Sequence, residues 1–223
     1  MLSKPWTWID ERSRREHQYL AETDRCLFRG EFSVGGGASG CATRQLLANF
    51  KRKPTEITRG PNVLQLQGDK ERAIAEVAIA LREAFGPMLV NRRYTFVPIP
   101  GSKCRGDPDY CDRLERALKQ AFSGYAHPDV RPLLQQTVST VADHERGAAR
   151  ASIDELMDIT RIDVDLLAVP ARETLIVFDD VLTFGKHFRV ASARIREALP
   201  RQAIIGLFIA RAVSSRHAGA IVL

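Results

Sequence analysis

The stretch Thr174-Leu-Ile-Val-Phe-Asp-Asp-Val-Leu-Thr-Phe-Gly-Lys-His187 decides the fold class. It opens with an apolar run, Thr174 to Phe178, which is too short for a buried helix and is typical of a strand covered on both faces. Two acidic residues, Asp179 and Asp180, follow where that strand is expected to end. A tight turn at Thr183–Gly185 then leads into a helical pattern. In open parallel sheets ligands bind outside the carboxyl ends of strands, so this turn is a candidate ligand site.

The residue types in this stretch suit a phosphorylated sugar. A glycine turn that feeds a helix presents backbone N–H groups to a phosphate. Paired carboxylates beside it suit the two hydroxyls of a ribose, or a Mg²⁺ ion shared with one. Alternatively, Asp179 and Asp180 are helix N-cap residues. Val181 and Leu182 separate them from the turn, which argues against that alternative.

Strand-like runs alternate with helical patterns along the rest of the chain. Strands are expected at Arg25–Val34, Arg93–Pro100 and Ile204–Ala210, and helices at Trp8–Tyr19, Ala42–Phe50, Asp69–Phe85, Pro108–Phe122, His187–Leu199 and from Ser152, with Glu155 completing a capping box. This alternation predicts an α/β protein with a Rossmann-like parallel sheet and flanking helices. We assign residues 61–223 to the core and residues 1–60, which fit the alternation least well, to an N-terminal extension.

The segment Val177–Gly185 resembles the signature of type I phosphoribosyltransferases, which bind 5-phosphoribosyl 1-pyrophosphate (PRPP). The shared features are an apolar strand, two acidic residues, two apolar residues and a Thr-Thr-Gly-like loop. The resemblance implies that Asp179 and Asp180 hold the ribose 2′- and 3′-hydroxyls. It also implies that the 5′-phosphate is wrapped by Thr183, Phe184, Gly185, Lys186 and His187.

Two positions of the turn differ from the family pattern. Phe184 stands where the family usually has Thr or Ser, which removes a hydroxyl donor. Lys186 and His187 stand where a small residue and a hydroxyl residue are common, and their charge can compensate because a cation near phosphate makes a strong contact. His187 has two possible roles, as a phosphate ligand or as a general acid for the leaving pyrophosphate.

The loop Gly101–Gly106 is a second candidate site. It follows a buried-looking strand, as the acidic pair does, and it combines a glycine with Ser102, Lys103 and Arg105. It is similar to the pyrophosphate loop of ComF-like phosphoribosyltransferases, whose strand ends in a Val-Pro-type sequence. The resemblance implies that Ser102 and Lys103 contact pyrophosphate, with Arg105 as a further contact. A solvated loop with incidental charges is the alternative.

The segment Gln135–Arg150 is polar and has few apolar anchors. The family places a flexible lid between its pyrophosphate loop and its acidic strand, which excludes water from the reacting centre. By that resemblance, His144 and Arg146 belong to the lid. An ordinary surface loop is the alternative. The Gly-rich stretch Gly35–Gly40 has no Gly-Lys-Ser/Thr ending, so we interpret it as a turn and not as a phosphate loop.

Composition limits the class of protein. The chain has 223 residues, 44% of them hydrophobic, and no run approaches the ~20 apolar residues of a membrane span. The N-terminus lacks the apolar segment of a secretory signal, so we expect a cytoplasmic protein. The four cysteines form no Cys-x-x-Cys pair, which indicates neither a zinc site nor a disulfide framework. The net charge of +6 suits an anionic partner: a phosphorylated substrate, or nucleic acid, which the scattered arginines support only weakly.

The expected function is therefore transfer of ribose 5-phosphate from PRPP to a nitrogen acceptor, in nucleotide metabolism. The resemblance implies Mg²⁺ held largely by substrate oxygens and waters, with no dedicated protein cage. The hood over the acceptor is expected from residues 1 to about 60 and from Ala212–Leu223, and a purine, a pyrimidine, an amine or no acceptor at all stay open. The rival hypotheses keep the fold without catalysis: a regulator that senses PRPP or a nucleotide and binds nucleic acid or protein, or a subunit of a larger complex. Homodimers are common in the family.

Overall fold

The computed structural model describes residues 5–33, 42–141 and 151–213. The strands are β1 (Thr7–Trp8), β2 (Arg25–Ser33), β3 (Tyr94–Pro98), β4 (Leu134–Gln136), β5 (Thr160–Ile162), β6 (Thr174–Leu182) and β7 (Ala203–Val213). The helices are α1 (Glu11–Arg14), α2 (Ala42–Lys51), α3 (Pro54–Arg59), α4 (Val63–Phe85), α5 (Arg113–Phe122), α6 (Ile153–Ile159) and α7 (Lys186–Ala198), with 3-10 turns at Gly86–Asn91 and Val164–Leu167.

Five strands form one sheet in the order β1-β2-β7-β6-β3, and β4 and β5 form a separate antiparallel ribbon. Among the described residues, β1 is the one strand of this sheet that pairs antiparallel with its neighbour. Pro98, the last residue of β3, lies opposite Phe178 of β6, so the chain leaves β3 beside the acidic pair while β6 continues to Leu182. The carboxyl ends of all four parallel strands therefore share one edge of the sheet. The predicted α/β class and mostly parallel sheet are confirmed, whereas the type I phosphoribosyltransferase fold stays a prediction.

Strand β6 is buried on both faces, as its apolar run predicts. On one face Ile176 and Phe178 pack in a core built with α2, α4 and α5. On the other face Leu175 and Val177 pack in a core built with α7. Successive side chains of a strand point to opposite faces of the sheet. The side chains of Asp179 and Asp180, which follow in the same strand, therefore point to different faces.

Part of the segment predicted as an N-terminal extension lies in the sheet. Strand β2, within residues 1–60, pairs in parallel with β7 from Arg25 to Ser33. The α2 helix, also within residues 1–60, contributes Leu46, Leu47 and Phe50 to the core. A role of the remaining segment as a hood stays a prediction.

Several boundaries differ from the sequence prediction. The helix expected over Trp8–Tyr19 is limited to α1, because Thr7 and Trp8 pair with β2 and Asp10 caps the helix by accepting from the Ser13 N–H group at 2.7 Å. The α5 helix begins at Arg113, five residues after Pro108. Strand β6 continues through the acidic pair to Leu182, since its pairing with β7 extends to Leu182 and Arg211.

The capping box of α6 is confirmed. The Ser152 hydroxyl accepts from the Glu155 N–H group at 3.1 Å, and the Glu155 carboxylate accepts from the Ser152 N–H group at 2.6 Å. None of the helices in the described ranges is long and apolar enough to cross a membrane.

Candidate functional site

The two carboxylates at the carboxyl end of β6 are both buried, with 8% of Asp179 and 4% of Asp180 exposed. Asp180 lies on the face covered by α2 and α5, and Asp179 on the face covered by α7. One oxygen of Asp179 accepts a hydrogen bond from the N–H group of Asp180 at 2.8 Å. The Asp179 carboxylate is therefore oriented by the backbone of an interior strand of the sheet.

Asp180 is surrounded by cations from two helices. Arg113 of α5 donates from Nε at 3.2 Å and from Nη2 to one carboxylate oxygen, and the Lys51 amine of α2 lies 3.3 Å from the other. Burial acts to raise the pKa of Asp180, but the charges of Lys51 and Arg113 outweigh it and bring the pKa below its ordinary value. Burial likewise opposes the charged guanidinium, yet Asp180 raises the pKa of Arg113. Asp180 and Arg113 are therefore both charged at neutral pH.

Asp179 behaves in the opposite way. Burial and then the negative charge of Asp180 raise its pKa to about 6, although His187 and Lys51 partly offset that rise. The pKa values of the two neighbouring carboxyls are thus separated. Asp180 is ionised at all physiological pH values, and Asp179 titrates near pH 6. Such a pair combines a permanent hydrogen-bond acceptor with a group that can also donate when protonated.

The predicted phosphate turn joins β6 to α7. Gly185 has φ 88°, a left-handed conformation that favours glycine, and it is the N-cap residue of α7. Thr183 and Phe184 are exposed in this turn. The turn therefore lies open beside the carboxylates at the N-terminus of a helix, where its backbone dipole favours an anion.

The two cations after the turn have different surroundings. The Lys186 side chain is buried, and its amine donates to the carbonyl oxygen of Ala151 just before α6. His187 is exposed. Of the two, His187 is therefore the one whose ring can reach a ligand without rearrangement of the protein. A phosphate contact by Lys186 stays a prediction.

The predicted pyrophosphate loop follows β3 at the same edge of the sheet. The carbonyl oxygen of Ser102 accepts from the Thr140 N–H group and from the Gln136 amide, both at 2.7 Å. Lys103 is half-buried, and Arg105 is exposed. The loop is thus anchored to the segment after β4, while its two cations stay near the surface.

A cavity of about 340 Å³ lies between this loop and the start of α5. Its volume is in the range of small-molecule sites. Asp179 and Asp180 do not line it, but Arg113 does and also binds Asp180, so the guanidinium connects the cavity to the acidic pair. The lining includes Pro98–Gly101, Lys103–Arg105, Tyr110–Glu115, Pro132 and Leu134–Thr137.

Three residues near the acidic pair and the turn were missed by sequence reasoning. Arg113 and Lys51 bind Asp180, and His17 contacts the carbonyl oxygen of Thr183. Lys51 belongs to a visible basic run at the end of a predicted helix, which is a weak signal. No sequence pattern marks Arg113 or His17, because each acts on a residue far away along the chain.

Some predicted residues lie outside the described ranges. These are His144 and Arg146 of the predicted lid, the Gly-rich stretch Gly35–Gly40, and residues 214–223 of the predicted hood. In residues 5–33, 42–141 and 151–213, no group of three or more His, Cys, Asp or Glu side chains is placed to hold a metal ion.

Fold and site together define an α/β protein with a mostly parallel sheet, and acidic and basic side chains meet near its carboxyl edge. Comparison with protein-family models and with curated protein sequences found no match.

Proposed function

We propose that the protein binds PRPP with Mg²⁺ and transfers its ribose 5-phosphate to a nitrogen acceptor. The observation that carries the proposal is the parallel pairing of β3 with β6, in which Pro98 lies opposite Phe178. Because of that pairing, the chain that leads to the basic loop Gly101–Gly106 leaves β3 beside the acidic pair, which lies within β6 just before its turn. A sugar with one phosphate and one pyrophosphate requires cationic groups for its phosphates and acceptors for its hydroxyls, and both kinds of group occur at this edge.

In this proposal Asp179 and Asp180 accept hydrogen bonds from the ribose 2′- and 3′-hydroxyls. A carboxylate offers about four acceptor positions, so the donors of Arg113 and Lys51 do not exhaust Asp180. The buried ion pairs instead hold the Asp180 carboxylate in place, which lowers the cost of orienting it for the substrate.

The turn Thr183–Gly185 and His187 bind the 5′-phosphate, through backbone N–H groups, the Thr183 hydroxyl and the imidazole. At the other end of the substrate, Ser102, Lys103 and Arg105 bind the pyrophosphate. The reaction forms a bond from the acceptor nitrogen to C1 of the ribose as the bond from C1 to the pyrophosphate oxygen breaks. The pyrophosphate leaves with its electron pair, and the proton of the acceptor nitrogen passes to solvent or to a nearby base.

The residues present fit the implied Mg²⁺ ion. Mg²⁺ is usually held by one or two carboxylates together with substrate phosphates and waters, and does not need a cage of protein ligands. Asp179 and Asp180 are the carboxylates that would hold the ion in this proposal, and no group of three or more acidic, His or Cys ligands occurs in the described part of the chain. When bound, the ion neutralises charge on the pyrophosphate.

A second candidate function is a sensor or a subunit of a complex that binds PRPP or a nucleotide without turnover, with a protein or nucleic acid as its partner. Two observations favour it. Asp180 is already engaged by two cations, and Phe184 supplies no hydroxyl to a phosphate. Both candidates require a ligand at the same site, so they differ only in whether pyrophosphate is released.

Calorimetric titration of PRPP with Mg²⁺ tests the proposal. We expect wild type to bind with micromolar affinity. The affinity of the Asp179→Asn/Asp180→Asn variant should be at least tenfold lower, which corresponds to roughly 1.4 kcal/mol, the contribution of a single strong hydrogen bond. The charge-matched control is Asp154→Asn/Asp158→Asn, which changes two exposed acids of α6.

Binding by wild type and the control alone supports the site, and pyrophosphate release with a panel of bases and amines then separates enzyme from sensor. Wild type that shows no heat with PRPP, or equal affinity in all three proteins, would rule out PRPP binding at the acidic pair.

A further inference from the structure

The N-terminal segment His17–Leu20 packs against the turn that follows the acidic pair. His17 Nδ1 contacts the carbonyl oxygen of Thr183, and the Tyr19 N–H group donates to the carbonyl oxygen of Phe184 at 2.9 Å. Leu20 lies directly against Gly185, since a Cβ atom built on that glycine would be 3.1 Å from Leu20 Cδ2. Three successive residues of the turn are therefore contacted by one short segment from the other end of the chain.

These contacts set the direction of two peptide groups. In a trans peptide the C=O of one residue and the N–H of the next point in opposite directions. The carbonyls of Thr183 and Phe184 point at the segment His17–Leu20, so the N–H groups of Phe184 and Gly185 point away from it. Without these contacts either peptide could rotate and present a carbonyl, which repels an anion, to the ligand side of the turn.

His17 is suited to this role by its burial. Its side chain is fully buried, and burial lowers its pKa, so the ring is neutral at neutral pH and carries one proton. Because Nδ1 faces a carbonyl oxygen, the proton belongs on Nδ1. In the described part of the chain Nε2 has no hydrogen-bond partner. The single N–H donor of the ring thus contacts the turn.

The chain that leads into the segment His17–Leu20 is itself fixed to the sheet. The N–H group of Ile9 donates to the carbonyl oxygen of Cys26 in β2 at 2.8 Å, and Glu16 lies 3.7 Å from the guanidinium of Arg211 in β7. Arg211 in turn is held by Glu31 at 2.6 Å. The turn is therefore oriented by a support that rests on β2 and β7, two strands that carry none of the proposed ligand residues.

We propose that His17–Leu20 position the turn Thr183–Gly185 for binding the phosphate group of a sugar phosphate, with His17 as the principal positioning residue. The inference rests on the proposed function for its ligand. It adds that the affinity for phosphate is set by a side chain that does not touch the phosphate. His17 acts only through the direction of the Thr183–Phe184 peptide.

Two substitutions separate the hydrogen bond from the packing. His17→Phe keeps an aromatic ring of similar size and removes the donor. His17→Asn restores a donor at the place of Nδ1, because its amide nitrogen lies at the same number of bonds from the backbone. Calorimetric titration with ribose 5-phosphate gives a dissociation constant and a stoichiometry for each protein, and ¹⁵N NMR follows the amide signals of Phe184 and Gly185.

We expect His17→Phe to bind ribose 5-phosphate about tenfold more weakly at unchanged stoichiometry, the cost of roughly one misdirected hydrogen bond. We expect His17→Asn to recover most of the affinity. In wild type and His17→Asn the Phe184 and Gly185 signals should shift with ribose 5-phosphate, and in His17→Phe they should shift less at the same saturation.

Four results would overturn the inference. A dissociation constant of His17→Phe equal to wild type would show that His17 does not set the affinity, and a reduced stoichiometry beside it would assign His17 a role in folding alone. Equal weakening in His17→Asn and His17→Phe would show that the donor is not the cause. Wild type that binds PRPP but not ribose 5-phosphate would refute only this inference, whereas wild type that binds neither would refute the proposed function as well.

Discussion

Arg113 and Asp180 form a buried ion pair in which the guanidinium donates from Nε and Nη2 to the same carboxylate oxygen. The side chains are 13% and 6% exposed. Arg113 is the first residue of α5 and Asp180 lies near the end of β6, so the pair ties a surface helix to the central strand at the candidate site. Its guanidinium also lies 5.8 Å from the ring of Phe50 in α2, which places three elements around one charge.

Replacement of Arg113 by Met should therefore be costly. Removing one partner of a buried pair leaves an uncompensated charge and costs about 3 kcal/mol or more of unfolding free energy. Asp180 would retain only Lys51. We expect a loss of about 3 kcal/mol for Arg113→Met at pH 7, measured by urea denaturation. Lys119→Met on the same helix is the control, because the Lys119 side chain is 62% exposed and its solvated ion pair with Glu115 should contribute less than about 0.5 kcal/mol.

The loss in Arg113→Met should depend on pH with a defined sign. The pKa of Asp180 is lowered in the folded protein from 3.8, so its ion pairs stabilise the fold above about pH 4 and this stabilisation fades as the pH falls further. The difference between wild type and Arg113→Met should shrink in the same direction. A difference that stays constant or grows below pH 4 would mean that Arg113 acts through packing and not through the carboxylate.

Asp179 should show the opposite pH dependence. Its pKa is raised from 3.8 to about 6, so between these values the folded protein binds a proton that the unfolded chain has released. Wild type should lose stability as the pH rises from 4 to 7, and Asp179→Asn should not lose that part. A separation of two pKa units corresponds to about 3 kcal/mol. We therefore expect the unfolding free energy of Asp179→Asn, measured by urea denaturation, to rise relative to that of wild type by up to about 3 kcal/mol between pH 4 and pH 7.

The matched control for Asp179 is Glu22→Gln, which removes one exposed carboxylate. It should change the unfolding free energy by less than about 0.5 kcal/mol at either pH. If Asp179→Asn is instead destabilised more at pH 7 than at pH 4, the ionised form of Asp179 is favoured in the fold, and the description of a split acidic pair is wrong.

The local elements around the site were predictable because their signals are local. The apolar run of β6, the strand before Pro98 and the capping box at Ser152 all depend on residues close together in the chain. The predicted end of β6 was less accurate. Two carboxylates looked like the end of a strand, but pairing with β7 continues past them, and a strand's length is decided by its neighbour.

The rest depends on the topology, which no local pattern specifies. Arg113 is separated from Asp180 by 67 positions and His17 from Thr183 by 166, and each pair meets only because of the strand order. The predicted start of α5 was wrong for a similar reason. Pro108 is a good first helical residue, but the Asp109 carboxylate accepts from the N–H group and the hydroxyl of Thr55 at 3.1 and 2.5 Å. That contact holds the segment out of the helix.

The glycine of the turn offers a further test of how closely the N-terminal segment packs on it. Gly185 has φ 88°, and an added Cβ would meet Leu20 Cδ2 at 3.1 Å. Gly124 has φ 85° with no heavy atom within 4 Å of an added Cβ, so it shares the backbone cost and lacks the contact. A left-handed alanine costs about 1–2 kcal/mol. We expect Gly124→Ala to lose about that much in urea denaturation and Gly185→Ala to lose about 1 kcal/mol more.

The two variants should differ also in ligand binding. Relief of the contact in Gly185→Ala requires Leu20 or the turn to move, and either movement disturbs the N–H groups at the start of α7. We expect its dissociation constant for ribose 5-phosphate to rise at least fivefold while that of Gly124→Ala stays at the wild-type value. Equal stability losses in the two alanine variants would show that Leu20 yields without cost. Equal affinities would show that the turn tolerates the shift, and the close packing of Leu20 on Gly185 would then have no part in binding.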